Sequence, residues 1–97
     1  MAKAYWIVRV SVKNPERYPD YLTAARPAFE KFGARFVVRG GRYEEMEGTS
    51  RERNVVVEFE DFATAVACYR SPEYQAAKAI RVANADADFV IVEGADA

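Results

Sequence analysis

Four short stretches rich in β-branched and aromatic residues alternate with helically spaced stretches in a fixed order, and that order constrains this chain more than any other feature. The strand-like runs are AYWIVRVSV over 4–12, ARFVVR over 34–39, NVVVEFE over 54–60 and DFVIVE over 88–93. Between the first two, residues 15–32 place Tyr18, Tyr21, Leu22, Ala25, Ala28, Phe29 and Phe32 on one helical stripe. Asn14 and Pro15 open that helix as cap and first-turn residue, and Gly33 closes it. Pro19 makes its first turn irregular, and Pro27 removes one backbone hydrogen bond and bends it near Thr23. After the third run, Asp61 caps a helix through FATAVACYRS, and Ser71-Pro72 restarts one through PEYQAAKAIRVANA. Between the second and third runs, Gly40-Gly41 marks a bulge or turn, RYEEMEG continues as a bent strand, and TSRER reads as an exposed loop.

The order βαββαβ predicts an α+β chain of ferredoxin-like topology. It has a four-stranded antiparallel sheet with the first and third strands central and both helical regions on one face. Alternation assigns the faces. Trp6, Val8, Val10, Phe36, Val38, Val55, Val57, Phe59, Phe89 and Ile91 turn toward the helices. The opposite face then carries Tyr5, Ile7, Arg9, Arg35, Val37, Arg39, Val56, Glu58, Glu60, Asp88, Val90 and Val92. A solvated face alternates to cleaner polarity than this. A mixed Tyr, Ile and Val surface of this extent marks an interface, so two sheets are expected to meet across a two-fold axis in a homodimer.

At 97 residues the chain is expected to be one domain, 1–97, and 51% apolar against 30% charged residues is a globular balance. Residues 1–48 carry nine basic and six acidic side chains and residues 49–97 five and nine, with no basic run in either half, so no nucleic-acid partner is expected. No apolar run approaches the roughly 20 residues of a membrane span, and the N-terminus reads as a strand, so neither membrane nor secretion is expected and the location is cytoplasmic. A lone Cys68 forms no internal disulfide. The chain has no histidine, which removes the commonest general base, the commonest transition-metal ligand and every Ser-His or Cys-His nucleophile pair. No motif for nucleotide, flavin, haem or pyridoxal phosphate is present, so no cofactor and no specific metal are expected.

The stretches YLTAARPAFEKFGARFVVRGG, YEEMEG, VVVEFEDFATAVACYRSPEYQAAKAIR and FVIVEG strongly resemble the family called domain of unknown function 1330, over about residues 5–94. Arg39-Gly40-Gly41, Glu58-Phe59 and YRSPEY over 69–74 are the most specific pieces. The resemblance implies the dimeric α+β barrel superfamily, with a ferredoxin-like subunit and a dimer formed across the sheets. Cofactor-free monooxygenases, lactone isomerases and small binding proteins share that group. The family has no assigned function, so the resemblance transfers no catalytic residue.

Candidate residues come in small groups. Arg9, Arg39, Glu58 and Glu60 are expected on one sheet face, either as a polar pocket whose arginine forks hold a carboxylate or as cross-strand ion pairs. Gly40 and Gly41 offer backbone amides to an anion or simply make a turn. Tyr74 and Arg81, two helical turns apart, either line a pocket for a small acid or enol-like ligand, or sit as an edge-of-core tyrosine and a solvated arginine. Cys68 reads as a buried small hydrophobe and Glu44, Glu45 and Glu47 as a solvated loop. The leading reading is a homodimer that binds a small anionic or polar organic molecule. The alternatives are a cofactor-independent isomerase or oxygenase, with Glu58 or Tyr74 as acid/base and Arg39 or Arg81 stabilising negative charge, and an interaction module without ligand.

Overall fold

A computed structural model describes residues 2–95. Its elements run β1 (Ala4–Val12), α1 (Tyr18–Phe32), β2 (Arg35–Arg39), β3 (Arg53–Phe59), α2 (Phe62–Arg70), α3 (Pro72–Asn84) and β4 (Ala85–Glu93). The four strands form one antiparallel sheet in the order β2-β3-β1-β4, so β1 and β3 are central as the sequence order requires. The helices lie against the face that carries Trp6, Val8, Val10, Val55, Val57 and Phe59, all buried. Trp6 is the hub of that core. Its ring meets Phe29, Phe59, Tyr69, Tyr74 and Phe89 at centroid distances of 4.8–6.2 Å, and its indole Nε1 donates to the Ala65 carbonyl at 3.0 Å.

Two of the three expected N-caps hold. The Asp61 carboxylate accepts from the Thr64 N–H at 2.8 Å, and the Ser71 hydroxyl accepts from the Tyr74 N–H at 3.2 Å. Gly33 ends α1 in the left-handed conformation, φ 66°. The start of α1 differs from the expectation. Residues 15–17 form a turn on the Asn14 carbonyl, and the helix begins at Tyr18 with Pro19 in its first turn. Asn14 is not its cap: the side-chain amide instead donates to Asn84 Oδ1 at 2.9 Å, tying the entrance of α1 to the end of α3. The helix continues through Pro27. The segment 41–52 forms no strand, so RYEEMEG does not extend β2. β4 starts at Ala85, three residues earlier than expected, because α3 passes into it without a loop.

The strand faces follow the alternation except at one place. Phe36 pairs with Val57, but Val38 pairs with Val56, and Arg39 with Val55. The extra residue between them is a β-bulge, and such an insertion reverses which face every later side chain takes. Val38, expected among the core residues, lies on the open face and is 42% exposed. Arg39, expected on the open face, turns to the helix side and stacks its guanidinium over the Phe36 ring at 4.2 Å. No helix among the described residues is long and apolar enough to cross a membrane.

Candidate functional site

The bulge divides the candidate residues between the two faces of the sheet. Arg9 and Glu58 stay on the open face, where their partners are the directly opposed residues. Arg9 faces Asp88 across β1 and β4, with 3.8 Å between guanidinium and carboxylate. Glu58 faces Arg35 across β3 and β2, at 3.6 Å, and also meets Lys3 at 4.0 Å and the Tyr5 hydroxyl at 3.4 Å. Arg51, from the loop before β3, donates to Asp88 at 2.9 Å and to the Ser11 hydroxyl at 2.9 Å. The Arg51 hydrogen bond holds the Asp88 carboxyl below its ordinary pKa. These are cross-strand ion pairs of the ordinary kind. A shallow depression of about 420 Å³ beside Arg9 and Asp88 contains no guanidinium that is not already engaged.

The helix side is different. Here a groove of about 430 Å³ between α1 and the β2–β3 side of the sheet is lined by Leu22, Phe29 and Phe36 and by Arg26, Glu30, Arg39 and Arg53. Leu22, Phe29, Phe36 and Arg53 also line a second, inner cavity of about 30 Å³, so the two spaces adjoin. The inner one reaches Trp6, Tyr18, Tyr21 and Arg81, and no Asp or Glu lines it.

Each of these side chains has a local reason to be there. In α3 the buried positions are Tyr74, Ala77, Arg81 and Asn84, a stripe at three- and four-residue steps that faces α1 and the sheet. In α1 the matching stripe is Tyr18, Tyr21, Ala25 and Ala28. Tyr74 is fully buried, not at the core edge, and its hydroxyl lies 2.8 Å from that of Tyr21. Arg81 is only 6% exposed, which corrects its reading as a solvated arginine. Its guanidinium stands 5.9 Å from the Tyr21 ring and 5.7 Å from the Phe89 ring, and its buried Nε has no hydrogen-bond partner. Arg53, at the start of β3, lies 5.5 Å from the Tyr18 ring, and its buried Nε is likewise without a partner. Gly40 makes room for it. A Cβ there would stand 2.6 Å from an Arg53 terminal nitrogen, and Gly40 itself has φ +63°.

Charge pairing separates the two faces sharply. Arg9, Arg35 and Arg51 on the open face all have carboxylate partners. Among the described residues, no ion pair engages Arg26, Arg39, Arg53 or Arg81. For a solvated arginine that is commonplace. For one as buried as Arg81 it leaves a cation whose desolvation no carboxylate among the described residues offsets. Burial raises the phenol pKa of Tyr21 well above its ordinary value, with Tyr74 adding to the effect, and burial raises Tyr74 as well. Both phenols are therefore neutral donors at physiological pH. Burial opposes the charge of Arg81, but the oxygens of Tyr74 and Tyr21 more than offset it and its pKa is raised.

Sequence reasoning reached Tyr74, Arg81, Arg39 and Gly40, which the structure gathers on this side, and it missed Tyr21 and Arg53. The signal for Tyr21 was its place on the α1 stripe; Arg53 looked like part of a charged loop. Cys68 is buried, and burial pushes its thiol up to about 12. Glu45 sits in the exposed loop, where its carboxylate accepts from the N–H and hydroxyl of Ser50.

The profile of the family described as "Domain of unknown function (DUF1330)" matches residues 3–95. No curated protein matches the chain. Among solved structures, a protein of unknown function from Rhodopseudomonas palustris is similar at a TM-score of 0.78 and 20% identity, over 99% of this chain and 85% of that one. A dimeric ferredoxin-like protein of unknown function from Jannaschia sp. CCS1 is similar at 0.73 and 17%, over 93% of this chain and 97% of that one. SnoaB, a cofactor-independent oxygenase from Streptomyces nogalater, is similar at 0.64 and 9%, over 100% of this chain and 97% of that one. At these identities the likenesses establish the ferredoxin-like fold.

Proposed function

We propose a ligand-binding role for this chain, which belongs to the family described as domain of unknown function DUF1330. It takes a small anionic or polar organic molecule into the cleft between α1 and the β2–β3 side of the sheet. The observation that carries this reading is Arg81, buried, without a carboxylate partner among the described residues, and lining a cavity that adjoins a groove with three arginines. The Tyr74 and Tyr21 oxygens hold its charge, and the planar guanidinium keeps a buried Nε–H for an acceptor that a ligand brings. The protein acts as a single cytoplasmic domain and as a homodimer. Ile7, Val38, Val90 and Val92 are each at least 39% exposed, and this apolar content of the open face suits a sheet-to-sheet contact.

Thermal-shift screening with a broad metabolite panel tests the binding role. A ligand present at a hundred times its dissociation constant stabilises by about 2.7 kcal/mol, roughly 10–20 °C for a domain of this size. A panel in which nothing moves the melting temperature refutes it and leaves the interaction-module reading.

A second reading rests on the phenol pair. A neutral phenol beside a guanidinium supplies a proton and a counter-charge to an enolate, as a cofactor-independent isomerase or oxygenase requires. Tyr74 is then the acid, acting through the Tyr21 hydroxyl that lines the inner cavity, and Arg81 the charge stabiliser. Glu58 has no part in it, because it lies on the opposite face, bound to Arg35 and Lys3. Turnover of an enolisable substrate that survives Tyr74→Phe combined with Arg81→Gln ends that reading.

A further inference from the structure

We infer that the cleft selects monocarboxylic acids with a compact apolar body, and that they enter carboxylate first. This rests on the ligand-binding reading above and names its chemistry. Three features lead to it.

Size sets the direction of entry. The inner cavity measures about 30 Å³. A cavity needs only about 10–15 Å³ to hold a water, whereas a benzene-sized guest occupies a void on the order of 150 Å³. The inner space therefore admits a carboxylate in place of one or two waters, and it excludes a ring. The outer groove, about 430 Å³, has room for the ring.

Chemistry agrees with size. The inner cavity is lined by Arg53 and Arg81 with no acidic side chain, and both have a buried Nε that lacks an acceptor. A carboxylate is acceptor-only and matches the planar guanidinium fork. The Tyr21–Tyr74 pair adds to this. Tyr21 lines the cavity, and when Tyr74 donates to it across 2.8 Å the Tyr21 proton is left for a carboxylate. The outer groove offers Leu22, Phe29 and Phe36 to an apolar body, and Arg39 caps the Phe36 ring. The opposite orientation would leave the Arg81 Nε without an acceptor and press a ring into a void too small for it.

Trp6 lines the inner cavity and is the chain's single tryptophan, so its fluorescence reports the site directly. The experiment titrates the full chain with benzoate and, separately, with benzamide, which has the same shape and no charge. Benzoate is expected to bind at least tenfold more tightly. Arg81→Gln is expected to erase that preference. Arg53→Gln, at a partly exposed strand end, provides the same test should the first variant fold poorly, and is expected to cut the preference several-fold. Equal binding of the two probes overturns the carboxylate assignment while leaving the ligand-binding role in place. A benzoate preference that persists in both variants overturns the assignment to Arg81 and Arg53. Absence of any benzoate response overturns the inference whatever the metabolite panel shows.

Discussion

The hydroxyl pair of Tyr21 and Tyr74 makes a quantitative prediction. The oxygens lie 2.8 Å apart, with Tyr21 7% and Tyr74 0% exposed, so neither can turn to bulk water when its partner is removed. Tyr74→Phe leaves the Tyr21 hydroxyl without a hydrogen-bond partner, with the Arg81 guanidinium acting on it only through its charge. Leaving a buried polar group unpaired costs about 1–3 kcal/mol, and the upper half of that range is expected here. Tyr21→Phe strands the Tyr74 hydroxyl, but the Arg81 guanidinium is close enough to lower its pKa, so the lower half of the range is expected. The double variant leaves neither hydroxyl orphaned, and its cost is what Arg81 loses with the two oxygens, about 1–2 kcal/mol. Singles of about 2–3 and about 1–2 kcal/mol against a double of about 1–2 kcal/mol should therefore give a coupling of about 2–3 kcal/mol, read from urea denaturation of the wild type, both singles and the double. Singles that add to within about 0.5 kcal/mol would refute the reasoning, because independent sites behave that way.

Gly40→Ala is expected to destabilise by about 1–2 kcal/mol in denaturation, since its φ of +63° disfavours any Cβ, and to weaken benzoate binding by displacing Arg53. Cys68 should resist a thiol reagent at pH 8 in the folded protein and react fully in denaturant, because a thiol held near pKa 12 is almost entirely protonated. Stability should fall as pH rises above about 9: the unfolded chain releases the protons of Cys68, Tyr21 and Tyr74 at their ordinary values, while the folded state keeps them. With fewer protons bound when unfolded, the slope is negative, and melting temperatures at pH 8, 10 and 11 check its sign. Val90→Glu, on the 54% exposed position of β4, should convert the dimer to monomer in sedimentation without lowering helix content.

Much of the fold was legible because its signals are local. Asp61 and Ser71 announce their helices by side-chain oxygens placed before helical runs, and Gly33 announces an end by the conformation it alone takes cheaply. The core faces of β1 and β3 follow from strict alternation. The site was legible only in part, because it depends on one inserted residue. Gly40-Gly41 signalled an irregularity, but not that it falls between Phe36 and Val38, and that shift decides which face Arg39 joins. The burial of Arg81 was readable in principle. It shares a stripe with Tyr74, Ala77 and Asn84, and hydrophobicity ranks obscure that when a stripe member carries charge. Asn14 looked like a cap because caps are its commonest role; its partner Asn84 is distant in sequence, and only the fold brings them together.

The direct passage from α3 into β4 has a kinetic consequence. β1 pairs on one side with β3 and on the other with β4, with Ala4 opposite both Phe59 and Glu93. Neither neighbour is adjacent in the chain, so β1 has no hairpin to shelter in and its ladder groups stay open until distant segments arrive. Loop closure must precede those contacts, which slows folding and lengthens the exposure of an aggregation-prone strand. During synthesis, both stripes that build the cleft leave the ribosome before the strand that completes the sheet beside β1.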